Sequence, residues 1–144
     1  MASDGFESRI NDILDRHHAP RDRIFVEITE EVALDERSSQ RLRRLSLSGV
    51  RIAIDDFGTG QTSLGTLHTM PYATLIKIDQ TFIHDVVHNE TSQKLVRAIV
   101  ALAIELNMVV AAEGVEDADT AEWLAIAGVK YGQGWHWGKA EPLE

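Results

Sequence analysis

The sequence predicts an α/β fold with a parallel sheet of about five strands. Apolar runs suited to strands begin near residues 24, 50, 75, 109 and 129, and segments with helical periodicity separate them. Alternating strands and helices are typical of parallel sheets with right-handed crossovers. The apolar runs are continuous, which indicates strands that helices cover. The predicted order is therefore α-βαβαβαβα-β.

Each predicted helix has apolar residues three and four positions apart, and most have a recognisable start or stop signal. The predicted helices cover residues 3–17, 36–48, 64–70, 92–106 and 119–127. Ser3 or Asp4 is expected to cap the first helix, and Pro20 follows it. Gly49 and Gly128 are expected to end the second and the last.

The predicted strands lie between these helices. They cover residues 24–28, 50–55, 75–79, 108–112 and 129–132. The first helix is expected to bury one face against the rest of the fold. That face carries Phe6, Ile10, Ile13 and Leu14.

The composition is that of an acidic globular domain. A chain of 144 residues can bury a core, and we expect residues 1–144 to form one domain. The 14 basic and 23 acidic residues give a formal net charge of -9. This charge disfavours binding to DNA or RNA polymers and suits a site that collects metal cations. Since the sequence has no cysteine, disulfides and thiolate metal sites are excluded.

The sequence shows no signal for a membrane. No apolar run approaches the ~18 residues that a membrane span requires. The N-terminal segment is acidic and polar, unlike a signal peptide. We therefore predict no membrane contact by this chain. The absence of cysteine also fits a reducing compartment, and the predicted location is the cytoplasm.

The second predicted strand ends at two adjacent carboxylates, Asp55 and Asp56. Gly58 and Gly60 follow and allow a tight loop. Two neighbouring carboxylates at a strand end repel each other unless a cation lies between them. The pair therefore predicts a divalent metal site with oxygen ligands, and the alternative is a solvated loop pair.

Polar residues follow every predicted strand, and in parallel α/β folds the carboxyl ends of the strands share one rim. In strand order they are Glu27 with Glu30, Asp55 with Asp56, Lys77 with Asp79, Glu113 with Glu116, and Gln133. Structural alternatives exist for each: the first two glutamates can begin a helix, the lysine can pair with its neighbouring aspartate, and the glutamine can satisfy a turn. Their coincidence on all five strands favours a shared functional site.

Several carboxylates and one lysine at a common rim suggest two-metal hydrolysis of a phosphate ester. Two ions ~3.5–4 Å apart can lower the pKa of a water molecule and stabilise the leaving oxygen. One aspartate of the pair can bridge both ions while its neighbour binds one. Lys77 can then orient the water or neutralise charge that develops on the phosphate.

Five motifs resemble the later motifs of EAL domains, which are cyclic di-GMP phosphodiesterases on a modified TIM barrel. They read Val-Glu-Ile-Thr-Glu at 26–30, Asp-Asp-Phe-Gly-Thr-Gly at 55–60, Ile-Lys-Ile-Asp at 76–79, Ala-Glu-Gly-Val-Glu at 112–116 and Gln-Gly at 133–134. The motifs keep the family's order and approximate spacing over nearly the whole chain. The resemblance implies cyclic di-GMP as ligand and Mg²⁺ or Mn²⁺ as cofactor.

The resemblance also implies four metal ligands by position. Glu27 resembles a ligand of the first metal, and Asp55 resembles the ligand that bridges both metals. Asp56 and Glu113 resemble ligands of the second metal, and the glutamate at this position is also proposed as the base.

Four further residues resemble positions that complete the site. Lys77 resembles the lysine that contacts the attacking water, and Gln133 a glutamine that supports the water and the metals. Glu30 resembles the residue that anchors the Asp-Asp-Phe-Gly loop, and Glu116 resembles a supporting carboxylate.

The sequence is shorter than the roughly 250 residues of a TIM barrel. It contains no Glu-Ala-Leu strand and no counterpart of the following strand, which carries a metal-binding asparagine in the family. We therefore expect a partial TIM barrel of about five parallel βα units, a truncated EAL domain without two of the metal ligands. The predicted function is a weakly active or inactive relative of the phosphodiesterases that retains a partial metal and nucleotide site.

The alternative function is a non-catalytic assembly module. A partial barrel leaves its first and last strands unpaired and exposes the apolar inner face of its sheet. We therefore expect self-association, with a homodimer as the simplest form. Near the rim, Trp135 and Trp137 either pack in the core or offer a stacking surface to a guanine base.

Overall fold

The computed structural model describes residues 5–29, 36–59 and 64–139, which contain a five-stranded parallel sheet. The strands are β1 Phe25–Ile28, β2 Arg51–Phe57, β3 Ala73–Ile78, β4 Val109–Glu113 and β5 Tyr131–Gln133. They lie side by side in chain order, and every neighbouring pair is parallel. The predicted α/β class is therefore confirmed, although individual strand boundaries differ from the prediction by a few residues.

Six helices lie in the described part of the chain. They are α1 Phe6–Arg16, α2 Glu36–Leu47, α3 Leu64–Thr69, α4 Gln80–Ile83, α5 Glu90–Glu105 and α6 Ala118–Ala127. Gly5 precedes α1 as its N-cap, whereas Ser3 and Asp4, the predicted caps, lie outside the described residues. None of the described helices combines the length and apolarity needed to cross a lipid bilayer.

Two short elements were not predicted from the sequence, the 3-10 turn Arg21–Arg23 and α4. The helix α4 forms because the Asp79 carboxylate accepts a hydrogen bond from the Thr81 backbone N–H at 2.8 Å. An aspartate two residues before a threonine is a capping signal, but the helix is too short to show apolar periodicity.

The core lies between the outer face of the sheet and the helices. The isoleucines of β2 and β3 on this face are fully buried: Ile52, Ile54, Ile76 and Ile78. Full burial of one such side chain contributes roughly 1.5–3 kcal/mol. On α1 only Leu14 is buried, while Phe6 and Ile13 are exposed. The predicted burial of that face is thus wrong for these two residues, because α1 packs on the fold through a narrower stripe.

The inner face of the sheet is curled rather than open. Phe25 of β1 and Tyr131 of β5 meet edge to face, with ring centroids 6.3 Å apart. The Arg51 guanidinium lies 5.5 Å from the Phe25 ring centroid. Since β1 and β5 are the edge strands, the contact brings the two edges of the sheet towards each other. The expected exposed apolar face is therefore only partly present, and Ala53 and Leu75 are buried.

Candidate functional site

The carboxyl ends of four strands bring charged side chains together around the ammonium group of Lys77. Its Nζ lies 2.8 Å from Glu27 Oε2 on β1 and 3.2 Å from Asp55 Oδ1 on β2. It also forms an ion pair with Glu113 Oε1 on β4. An ammonium group has three donors, so each can face a different carboxylate. Lys77 thus pairs across the sheet rather than with Asp79, whose carboxylate caps α4.

A β-bulge explains how two adjacent aspartates reach the same rim. In a regular strand, neighbouring side chains point to opposite faces. The pairing of β2 with β3 instead shifts between Ile54, opposite Ile76, and Phe57, opposite Ile78. The bulge inserts one extra residue there and re-aims the local side chains. Asp56 takes up the irregularity with a left-handed backbone, φ 53°, which aspartate tolerates better than most residues.

The bulge produces a cluster of three carboxylates with the geometry of a cation site. One carboxylate oxygen each of Asp55, Asp56 and Glu113 lies within 4.8 Å of the other two. The buried Asp55 Oδ1 has the Lys77 ammonium at 3.2 Å as its ion-pair partner. Three hard carboxylate oxygens gathered this closely fit Mg²⁺ or Mn²⁺.

The charges at the rim shift two pKa values. Burial has the largest influence on the pKa of Lys77 and lowers it, but the close contacts with three carboxylates outweigh burial and raise the pKa overall. Lys77 therefore remains charged near neutral pH. The negative charge of Asp55, followed by burial and by the charge of Asp79, raises the pKa of Asp56. The raised pKa reflects an excess of negative charge that a cation would relieve.

The other predicted site residues differ in how close they come to this cluster. Glu27 meets Lys77 but is outside the group of three converging carboxylates. Gln133 lies opposite Glu113 in the pairing of β4 with β5, and both line one cavity of about 750 Å³. Glu116 is exposed at the edge of the same cavity. Glu30 lies outside the described residues.

Sequence reasoning missed Gln80 and Lys139 and left the two tryptophans undecided. Gln80 and Lys139 line the cavity together with Trp135 and Trp137. The tryptophans are 65% and 58% exposed, so the alternative in which they pack in the core is wrong. The sequence did not indicate Gln80 as a site residue because it lies in the unpredicted helix α4. The Trp-x-Trp-x-Lys spacing directly after the Gln-Gly motif could have indicated Lys139.

Comparisons with known proteins agree with this arrangement of motifs. The EAL domain sequence profile matches residues 1–140. The chain belongs to the EAL domain family. A curated relative is the bifunctional diguanylate cyclase/cyclic di-GMP phosphodiesterase MucR of Pseudomonas aeruginosa, which is 37% identical over 146 residues. The alignment covers 100% of this EAL chain and 21% of MucR, so the chain spans about a fifth of that relative's length.

Solved EAL structures share the fold. A MucR phosphodiesterase in complex with c-di-GMP superposes with a TM-score of 0.84 at 38% identity, covering 98% of this chain and 57% of that one. A manganese and cyclic di-GMP complex of Klebsiella pneumoniae BlrP1 gives 0.82 at 29% identity, covering 93% and 34%. The predicted EAL relationship and the partial TIM-barrel fold are therefore confirmed.

Proposed function

We propose that this EAL chain holds a divalent cation, Mg²⁺ or Mn²⁺, at Asp55, Asp56 and Glu113 and binds cyclic di-GMP there, with weak or no hydrolysis by the chain alone. The convergence of these three carboxylates within 4.8 Å carries the proposal. The nucleotide is proposed from the relatives, since the solved structures of MucR and BlrP1 are both cyclic di-GMP complexes.

Each rim residue has a proposed part in the reaction that the family performs. A bound divalent cation supplies an acidified water and stabilises the leaving oxygen. Asp55 and Asp56 hold the cation, and Lys77 offsets negative charge on the phosphate. Glu113 would share the cation and accept a proton from the water as that water attacks the phosphorus and the P–O bond to the leaving oxygen breaks. An amide N–H of Gln133 would donate a hydrogen bond to the water.

Weak hydrolysis follows from the position of Glu27. Its carboxylate pairs with Lys77 at 2.8 Å, as those of Asp55 and Glu113 also do, but it does not join the three converging carboxylates. Three carboxylates are therefore available to one cation, and fewer ligands remain for a second. The two-metal reaction needs both cations. Glu30 and Glu116 are proposed to support the loop and the cavity edge, as the family resemblance implies.

Metal binding and nucleotide binding are measured separately. Loss of the free Mn²⁺ signal in electron paramagnetic resonance reports the cation, and calorimetry with Mn²⁺ present reports cyclic di-GMP. Chromatography of the same mixture detects linear product. We expect binding of both ligands with little or no product. Asp55→Asn is expected to abolish Mn²⁺ binding, because it removes the charge of the central ligand.

The matched control is Asp12→Asn, the same change on the exposed surface of α1. It should bind Mn²⁺ like the wild type. Unchanged Mn²⁺ binding in Asp55→Asn would contradict the assignment of the rim as the cation site. Rapid accumulation of linear product would contradict the proposal of weak hydrolysis.

A further inference from the structure

The loop that follows β4 starts directly after Glu113, the last residue of that strand. Its first residue, Gly114, has a left-handed backbone with φ 70°, and its second, Val115, is fully buried. A side chain at the end of a strand keeps its place only if the chain that leaves the strand is itself fixed. The contacts that fix this loop therefore affect the position of the Glu113 carboxylate.

Two backbone hydrogen bonds tie this loop to the turn that follows β5. The Val115 N–H donates to the Gln133 carbonyl at 3.1 Å, and the Val115 carbonyl accepts from the His136 N–H at 3.0 Å. Buried main-chain groups need such partners, because water does not reach them. The turn after β5 thus holds both main-chain polar groups of Val115.

Gly134 allows the two backbones to approach this closely. A Cβ atom at this position would overlap the backbone nitrogen, carbonyl carbon and oxygen of Val115. Since the atoms in contact belong to the main chain, rotation of a side chain cannot relieve the overlap. Any larger residue would therefore push the turn and the loop apart. We refer to Val115, Gly134 and His136 as the clasp.

The loop after β4 has a second support in α4. A Cβ atom at Gly114 would lie 2.6 Å from the Gln80 Cβ, so α4 packs directly against the first residue of the loop. The turn that carries the clasp instead follows β5, an edge strand of three exposed residues. So short and exposed a strand is expected to open locally at a small cost in free energy. The two bonds to Val115 are thus an important part of what holds the turn.

We propose that the clasp positions Glu113 for the cation, so that cation binding and closure of the clasp stabilise each other. The inference rests on the proposed function, because the cation is the one proposed for the three converging carboxylates. Gly134 is a positioning residue, since it is not a ligand in that site and acts through Val115. Opening of the clasp would release the chain two residues after Glu113 and let its carboxylate move away from the other two.

The first test is Mn²⁺ binding by Gly134→Ala, measured by electron paramagnetic resonance. The new methyl group would separate the turn from Val115, and loss of a group that orients a metal ligand typically lowers metal affinity about 10–100-fold. We expect a loss of Mn²⁺ affinity in this range. The matched control is Gly138→Ala in the same turn, where a φ of 134° strains alanine but the methyl group meets no atom within 4 Å. The control should bind Mn²⁺ like the wild type.

The second test uses the wild-type chain, so it does not depend on how well a variant folds. Coupling between two equilibria is reciprocal: if opening of the clasp weakens metal binding, bound metal makes opening rarer by the same factor. Exchange of the His136 amide hydrogen, followed by nuclear magnetic resonance, reports this opening. Saturating Mg²⁺ should slow this exchange about tenfold or more. The reference is the Ala19 amide, which donates to the Leu14 carbonyl at 2.9 Å after the end of α1 and should slow much less.

The outcomes distinguish the clasp from the proposed function. Equal Mn²⁺ affinity of the wild type and Gly134→Ala would overturn the clasp and leave the proposed function intact, as would an equal loss of affinity in Gly138→Ala. Equal slowing of the His136 and Ala19 amides would indicate a general gain in stability and would also overturn the clasp. Absence of metal binding by the wild type would overturn the proposed function, and the clasp with it. A loss confined to Gly134→Ala, with selective slowing at His136, supports the proposal.

Discussion

At the scale of single residues, Lys77 organises the rim in the absence of a cation. The residue is only 6% exposed, and its ammonium group faces Glu27, Asp55 and Glu113. A charged group that is buried requires partners of opposite sign, and three carboxylates supply them. The same carboxylates would repel one another without it. Lys77 therefore has a structural role that is independent of any part in hydrolysis.

Replacing Lys77 by methionine is expected to destabilise the fold. Loss of the ammonium leaves partly buried carboxylates without their partner, which costs about 1–3 kcal/mol in metal-free buffer. Added Mg²⁺ or Mn²⁺ should restore more stability to Lys77→Met than to the wild type, because a cation can replace the missing charge. Thermal unfolding with and without metal measures both effects.

Lys94→Met is the control for this change. Lys94 pairs with Glu90 at 2.8 Å on the exposed surface of α5, and such helix pairs contribute only about 0.3–0.5 kcal/mol. A similar loss of stability in both variants, or no rescue of Lys77→Met by metal, would argue against the role assigned to Lys77.

The sequence predicted which residues would gather at the rim, but not how they meet. Strand-end position alone brought Glu27, Asp55, Lys77 and Glu113 to one rim, because parallel strands share their carboxyl ends. It gave no reason for Lys77 to reach across two neighbouring strands rather than pair with Asp79. Asp79 does not pair with Lys77 because its carboxylate instead accepts hydrogen bonds from Thr81 and caps α4. The apolar pattern of the strands carries no information about this cap.

At the scale of secondary-structure elements, the bulge in β2 decides whether Asp55 and Asp56 can share a ligand. A regular strand would send one of them to the helix-covered face. The sequence shows the two aspartates but not the bulge, because the shift in register arises from pairing with β3. Element types were predictable from periodicity, whereas this irregularity required the neighbouring strand.

The helix α6 offers a test of pH dependence at this scale. The Asp117 carboxylate accepts a hydrogen bond from the Thr120 backbone N–H at 2.7 Å, and this bond holds the pKa of Asp117 below 3.8. Since the folded-state pKa is lower than the unfolded one, the cap stabilises the fold above the unfolded pKa and loses this effect as pH falls through the folded pKa. Asp117→Ala should therefore lower the melting temperature near neutral pH, with a deficit that shrinks below about pH 4.

The comparison for the Asp117 cap is Asp12→Ala, which removes an exposed carboxylate from the middle of α1. Asp12 caps no helix, so its removal should cost little at neutral pH. A deficit of Asp117→Ala that stays constant down to acid pH would show that the cap does not depend on the carboxylate charge.

At the scale of the whole molecule, the two edges of the sheet approach each other but do not pair. Phe25 and Tyr131 meet across the interior, while the described sheet order ends at β1 on one side and at β5 on the other. All three residues of β5 are exposed. The sequence predicted open edges but not the curl, since that contact joins residues far apart in the chain.

Unpaired strand edges are expected to drive self-association of this chain. Light scattering coupled to size-exclusion chromatography at micromolar concentration should give a mass above that of the monomer, rising with concentration. A monomer throughout this range would contradict the expectation.

Ile126→Ser tests whether copies of the chain associate through their strand edges or through a helix surface. Ile126 is 81% exposed on α6 and belongs to neither edge strand, so its replacement should leave edge association intact. Loss of association in this variant would locate the contact on a helix surface instead.

Folding and ligand binding require different properties of the residue at position 56. The left-handed backbone requires a residue that tolerates this conformation, whereas cation binding requires a negative charge. Glycine and asparagine adopt that conformation easily, so either can preserve the course of the chain there. Neither supplies a negative charge. A single substitution at this position would therefore remove the proposed cation site and leave the fold unchanged. Relatives that differ at this position would share the course of the backbone and differ in whether they bind the cation.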